Sequence, residues 1–72
     1  MLTLGQLISK KREDLGYKKM QLSRLLDVGD DTLRSWERDR FVPAGKNMRA
    51  IIDVLRFTPQ ECSLYFKGWQ YG

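Results

Sequence analysis

The chain is short and basic, with 72 residues, 13 Lys and Arg against 9 Asp and Glu, a net charge of +4, one cysteine and no histidine. This length predicts one domain, residues 1–72, near the lower limit for a core without covalent or metal staples. The lone Cys62 excludes an internal disulfide, and the lack of histidine excludes a Cys/His metal site and a histidine-based catalytic pair. We therefore expect no enzyme, no metal and no cofactor.

Hydropathy and charge limit where the chain acts and what it binds. No apolar run reaches the roughly 18 residues that a membrane span needs. The start, MLTLGQLISKKRED, lacks the basic and apolar regions of a signal peptide. We expect a cytoplasmic protein without a membrane partner or a small-molecule substrate. The positive charge permits an anionic partner such as nucleic acid but does not require one.

The first part of the chain predicts two helices. Thr3 suits the N-cap of the first helix and Gly16 its left-handed end, with apolar side chains between them at helical spacing. The second pattern places Met20 or Gln21, together with Leu22, Leu25 and Leu26, on one buried stripe. It then breaks at a polar turn that contains glycine, which predicts a short connection to the next helix.

Three further helices follow this turn. The third carries acidic residues in its first turn and places Leu33 and Trp36 on its buried side. Pro43 predicts a loop before the fourth helix, and a capping box from Thr58 to Glu61 opens a short fifth. The fold class is therefore all-α. The predicted helices span 3–15, 18–26, 30–38, 45–56 and 59–66, and an aromatic tail covers 67–72.

The second and third helices have the spacing of a helix-turn-helix, in which the third would be presented outward. A set of residues between positions 4 and 66 matches one family pattern in register: Leu4, Gly5, Ile8, Arg12, Gly16, Leu22, Ser23, Val28, Thr32, Leu33, Trp36, Glu37, Pro43, Leu55 and Thr58. On these residues the chain resembles the Cro and repressor type of helix-turn-helix regulators, the XRE family, over residues 4–66. This resemblance implies a five-helix, lambda-repressor-like DNA-binding-domain fold.

The family resemblance also assigns roles to particular residues. It implies a structural ion pair between Arg12 and Glu37, which joins the first and third helices. A Glu directly after a buried Trp would be costly to bury without such a partner. The candidate partner-binding or DNA-binding residues are Lys19, Gly29, Asp30, Asp31, Arg34, Ser35, Arg38 and Arg40. Of these, Lys19, Arg38 and Arg40 are expected on phosphate. The base-facing positions of the family fall on Asp30, Asp31, Arg34 and Ser35, and among them only Arg34 offers the bidentate donor that reads guanine.

The adjacent Asp30 and Asp31 leave three interpretations open. A carboxylate can accept a hydrogen bond from cytosine in the major groove, although each one is also repelled by the phosphates. Acidic residues also favour the positive end of a helix dipole, so both could serve the fold alone. Alternatively, an acidic outward helix complements the basic recognition helix of another regulator.

The third interpretation predicts the function. In length and organisation the chain resembles the short helix-turn-helix antirepressors of temperate phages of lactic acid bacteria, the modulator-of-repression proteins. We therefore predict a regulator of a phage genetic switch that binds a repressor protein and blocks its access to DNA. The alternative is a Cro-like protein that binds double-stranded operator DNA through the third helix. Either could act as a homodimer.

Two groups of large apolar residues are not explained by these interpretations. Trp69 and Tyr71 could cover the core or mark a partner surface, and we favour core cover. Leu7 and Phe41 stand where the family often has polar residues, which predicts an exposed apolar patch.

Overall fold

The computed structural model describes residues 1–66, which form five α-helices and no strand. The helices lie within the predicted ranges and are shorter at their ends, because those ranges included capping residues such as Thr3 and Arg38. The all-α prediction is confirmed for this part of the chain. The helices are α1 (Leu4–Asp14), α2 (Lys19–Leu25), α3 (Asp30–Glu37), α4 (Gly45–Leu55) and α5 (Pro59–Tyr65). Trp69 and Tyr71 lie outside the described residues.

One apolar core joins all five helices. Its most deeply buried members come from each of them in turn: Ile8, Leu22, Leu33, Ile51, Leu55 and Cys62. Trp36 is also buried, as its place on the third helical pattern predicted. Because the core takes one face of each short helix, the opposite faces of α2 and α3 remain exposed.

The predicted stripe on α2 is wrong at two positions, since neither Met20 nor Gln21 is buried and Leu25 is not buried either. Leu22 and Leu26 are buried, but Leu25 is 54% exposed. Ser23 is buried in its place, so the inner face of α2 is rotated towards the Ser23 side, where a small residue faces α3. The spacing of the leucines alone could not show whether the Leu25 side or the Ser23 side of this seven-residue helix faces the core.

The close contact of α1 with α3 depends on a glycine. A Cβ built on Gly5 would lie 2.4 Å from the backbone oxygen of Glu37, so no other residue fits without moving α3. Asp39 follows α3 with φ of 60° and turns its carboxylate towards the start of α1. There it accepts hydrogen bonds from the Gly5 amide at 2.8 Å and the Thr3 hydroxyl at 2.6 Å. The last turn of α3 is thus bound to the first turn of α1.

A separate polar contact joins α1 to α5. Lys11 Nζ lies 2.9 Å from Glu61 Oε1 and 5.1 Å from the centre of the Phe57 ring. Burial raises the pKa of Glu61, but the Thr58 amide and Lys11 outweigh it and hold that pKa below its usual value. Burial raises the pKa of the neighbouring Cys62 thiol, which makes it a poor nucleophile. These groups stabilise the fold and contact none of the predicted site residues.

Two negative findings apply to residues 1–66. No helix in this part of the chain is long and apolar enough to cross a membrane. The same residues contain no group of three or more acidic or cysteine side chains placed to hold a metal ion.

Candidate functional site on the third helix

The turn between α2 and α3 sets the orientation of the candidate site. Leu26 ends α2, and Asp27 then adopts the left-handed conformation with φ of 55°. The Val28 amide donates to the Ser23 carbonyl at 3.0 Å, which closes the turn. Gly29 is the N-cap of α3 in extended conformation, and no side chain caps this helix end. Gly29 is therefore placed at the start of α3 but offers no functional group of its own.

The two adjacent aspartates have different surroundings. Asp30 Oδ1 lies 2.7 Å from the hydroxyl of the buried Ser23, which also lies 2.9 Å from the Met20 carbonyl. The Ser23 hydroxyl therefore lies between a carboxylate oxygen at the start of α3 and a backbone carbonyl of α2. Asp31 is exposed, and no side chain within residues 1–66 forms an ion pair or hydrogen bond with it. Asp30 thus connects α2 to α3, whereas Asp31 faces solvent.

A hollow of about 220 Å³ opens beside Asp31 on the same side of α3. Thr32 and Ser35, which both carry hydroxyl groups, line it together with the buried Trp36. Phe41, in the loop after α3, completes the lining, and this residue is 68% exposed. The sequence predicted Asp31 and Ser35 for a site, but it did not predict that Thr32, Trp36 and Phe41 would join them.

The predicted apolar patch is only half correct. Phe41 is exposed as expected, but Leu7 is 8% exposed and belongs to the core. Leu7 is buried because it lies one helical turn from Leu4 and next to Ile8 on the inner face of α1. Phe41 instead lies beside α3, where the hollow is lined by one acidic residue and no basic one.

The predicted basic residues surround α3 without pairing to it. Lys19 lies in the first turn of α2, Arg34 in α3, and Arg38 and Arg40 directly after α3. All four are exposed, and none forms an ion pair with a side chain of residues 1–66. The exposed surface of the helix-turn-helix therefore combines an acidic side chain and an aromatic ring with unpaired cations.

Arg12 and Glu37 lie inside this unit. Arg12 Nε is 3.3 Å from Glu37 Oε2, and both side chains are about nine-tenths buried. Arg12 Nη2 donates a hydrogen bond to Glu37 Oε1 at 3.4 Å, whereas Nε and Oε2 themselves have no aligned hydrogen-bond partner. Arg12 also donates to the Tyr17 carbonyl at 3.0 Å, and the Ser9 hydroxyl donates to Glu37. This cluster connects α1 to the end of α3 and leaves neither charge exposed.

A second, larger groove lies away from these residues. It has a volume of about 430 Å³ and is formed by the loop before α4, the start of α4 and the end of α5. Its lining has no charged side chain and none of the predicted site residues: Val42, Pro43, Ala44, Gly45, Met48, Tyr65 and Phe66.

These features define a class: a small helical domain with a short turn between two helices, the second of which has an exposed face. A family model described as "Helix-turn-helix" matches residues 8–62, and the chain belongs to this family. The HTH-type transcriptional regulator DicA of Escherichia coli K12 is 33% identical over 58 residues, which are 81% of this chain and 43% of DicA. The chain thus spans less than half the length of that relative.

The solved structures give an independent comparison. The chain is similar to the DNA-binding domain of the P22 c2 repressor, determined by nuclear magnetic resonance, with a TM-score of 0.76 and 24% identity. The match covers 99% of this chain and 92% of that domain. At this identity the likeness establishes the fold, and it confirms the predicted lambda-repressor-like, five-helix arrangement.

Proposed function

We propose that the chain is a transcription regulator that acts as an antirepressor: it binds the helix-turn-helix domain of a repressor and blocks access of that domain to DNA. The observation that carries this proposal is the exposed front of α3, where Asp31 lies beside the Phe41 ring. A carboxylate is repelled by phosphates, whereas it attracts the basic recognition helix of a DNA-binding domain. An exposed aromatic ring is characteristic of the centre of protein interfaces.

The resemblance to phage antirepressors of similar length is consistent with this function. We accordingly propose a role in a genetic switch, in which the chain competes with operator DNA for one surface of the repressor. Because the Asp31 carboxylate would meet basic side chains of the repressor, the complex should form quickly and weaken as salt rises.

A second candidate function is direct binding of operator DNA in the manner of a Cro protein. The four exposed cations Lys19, Arg34, Arg38 and Arg40 favour it, because they surround the helix that would enter the major groove. The relatives favour it too, since one is a transcriptional regulator and another is a DNA-binding domain. In this interpretation Asp31 would accept a hydrogen bond from cytosine.

Asp31→Asn separates the two functions by the direction of its effect. Asp31 is the better residue to change, because Asp30 is bonded to Ser23 and its replacement would also alter the fold. For an antirepressor, we expect the variant to bind the repressor domain more weakly. For a Cro-like protein, removal of one negative charge should increase non-specific DNA affinity while sequence preference at one base pair is lost.

The experiment measures fluorescence anisotropy of the purified chain against two kinds of partner across a salt series. The partners are the helix-turn-helix domain of each repressor encoded in the same genome, and a duplex from the chain's own promoter region. Asp53→Asn is the matched control, since Asp53 is an exposed aspartate on α4 that lines neither the hollow nor the larger groove. Tight duplex binding with no binding to any repressor domain would contradict the antirepressor function.

A further inference from the structure

We infer that the hollow beside α3 is the binding site for one arginine side chain from the recognition helix of the repressor, with Phe41 and Asp31 as the two residues that select it. The inference rests on the proposed antirepressor function and names the chemistry of its central contact. The observations that carry it are the volume of the hollow, the groups that line it and the position of Phe41.

The volume of the hollow limits its occupant. At about 220 Å³ it is smaller than small-molecule pockets, which range over roughly 300–1,000 Å³. It lies open on the exposed side of α3, next to Phe41, which is 68% exposed. These properties fit a single side chain inserted from a partner better than a free ligand.

The lining determines the charge of that side chain. Asp31 supplies a carboxylate that has no partner among residues 1–66, and no basic side chain lines the hollow. Asp31 is the one charged residue of the lining, so a cation that enters the hollow is attracted to it, even though Arg34, Arg38 and Arg40 are exposed on or directly after α3. The hydroxyl groups of Thr32 and Ser35 add acceptors for the donors of a cation.

The aromatic ring distinguishes arginine from lysine. A guanidinium group is planar, stacks on aromatic faces and donates two parallel hydrogen bonds to a carboxylate. Phe41 lines the hollow from the loop after α3 and has an aromatic ring on which a guanidinium can stack, while Asp31 has the carboxylate. A lysine ammonium is more strongly hydrated and lacks the flat surface, so it would use only one of the two groups.

The test compares matched variants in binding to the repressor domain. Phe41→Ala, Phe41→Leu and Asp31→Asn are each expected to weaken the complex by about tenfold or more, as residues at interface centres do. Phe41→Leu keeps an apolar side chain but removes the ring. The controls are Leu64→Ala, at a position 65% exposed on α5, and Asp53→Asn on α4. Both controls should change the dissociation constant less than about twofold.

A second measurement tests the hollow without any repressor. Nα-acetyl-arginine methylamide is titrated into the labelled chain, and amide signals are followed by nuclear magnetic resonance. We expect saturable shifts at Thr32, Ser35 and Phe41, which disappear in Phe41→Ala. The same derivative of citrulline, which is neutral and nearly the same shape, should cause none.

The outcomes separate this inference from the proposed function. If a repressor domain binds and Asp31→Asn weakens the complex, but both Phe41 variants bind as tightly as the unchanged chain, the inference is wrong and the antirepressor function stands. If no repressor domain binds while the arginine derivative still fills the hollow, the function is wrong and the site stands. Equal shifts with citrulline would overturn the site. The site would also be overturned if the chain bound a DNA duplex in a way that needed Phe41 and was lost when thymine was replaced by uracil. The hollow would then hold a thymine methyl group.

Discussion

The end of α3 is bound to α1 by three contacts, whereas the outward side of its first turn is exposed. At the last turn, Glu37 pairs with Arg12, its backbone contacts Gly5, and Asp39 caps the start of α1. At the first turn, Asp31 has no partner among residues 1–66. The last turn is therefore held by α1 and the first turn by the contact of Asp30 with Ser23 of α2, which leaves the outward Asp31 side free to contact a partner. Changes at the two ends should differ in kind.

The largest expected effect comes from breaking the ion pair at the anchored end. Arg12→Ala leaves the Glu37 carboxylate buried without its cation, and breaking a buried pair in this way costs about 3–5 kcal/mol of unfolding free energy. Urea denaturation followed by circular dichroism measures the loss. The matched control is Arg12→Met combined with Glu37→Met, which removes both charges and should restore most of the stability. If the single change cost under about 1 kcal/mol, the pair would not anchor α3.

The sequence predicted the helices and most of the core because both depend on local patterns. Spacing of apolar residues and the Thr58 capping box act within a few residues, and the structure contains both. The Asp39 cap could not be found in this way, since the residue it caps lies 34 positions earlier in the chain. The hollow could not be found from local patterns either, because Phe41 lies beside α3 only once the loop after α3 has folded back.

The second effect in size comes from the close approach of α1 and α3. Gly5→Ala adds a methyl group 2.4 Å from the Glu37 backbone oxygen, and a helix backbone cannot move aside without disturbing its neighbours. We expect a loss of about 1–3 kcal/mol, as for other overpacked sites. Thermal unfolding measures it. An unchanged melting temperature would mean that α3 can shift away from α1 at little cost, and the anchoring would be weaker than the distances indicate.

A smaller loss is expected where Asp39 caps α1. Asp39→Ala removes the acceptors of the Gly5 amide and the Thr3 hydroxyl, which should cost about 1–2 kcal/mol. Asp39→Asn is the matched control, because Asn keeps one acceptor oxygen and tolerates the φ of 60° found here. Asn should therefore lose less than Ala. Chemical denaturation measures the unfolding free energy of both variants. If both lost the same amount, the effect would come from the charge alone, because the loss of the carboxylate is the only change that they share.

The smallest effect belongs to the open end, and its sign should be opposite. Gly29 caps α3 with ordinary φ of −73°, no side-chain hydrogen bond and no atom within 4 Å of an added Cβ. Gly29→Ser supplies a capping hydroxyl and restricts the unfolded chain, so it should raise stability by about 0.5 kcal/mol. Gly16→Ser is the control: the space there is equally open, but its φ of 80° is strained for serine, and stability should fall. A lower melting temperature for Gly29→Ser would mean that the first turn of α3 is constrained as strongly as the last, and the contrast between the two ends would fail.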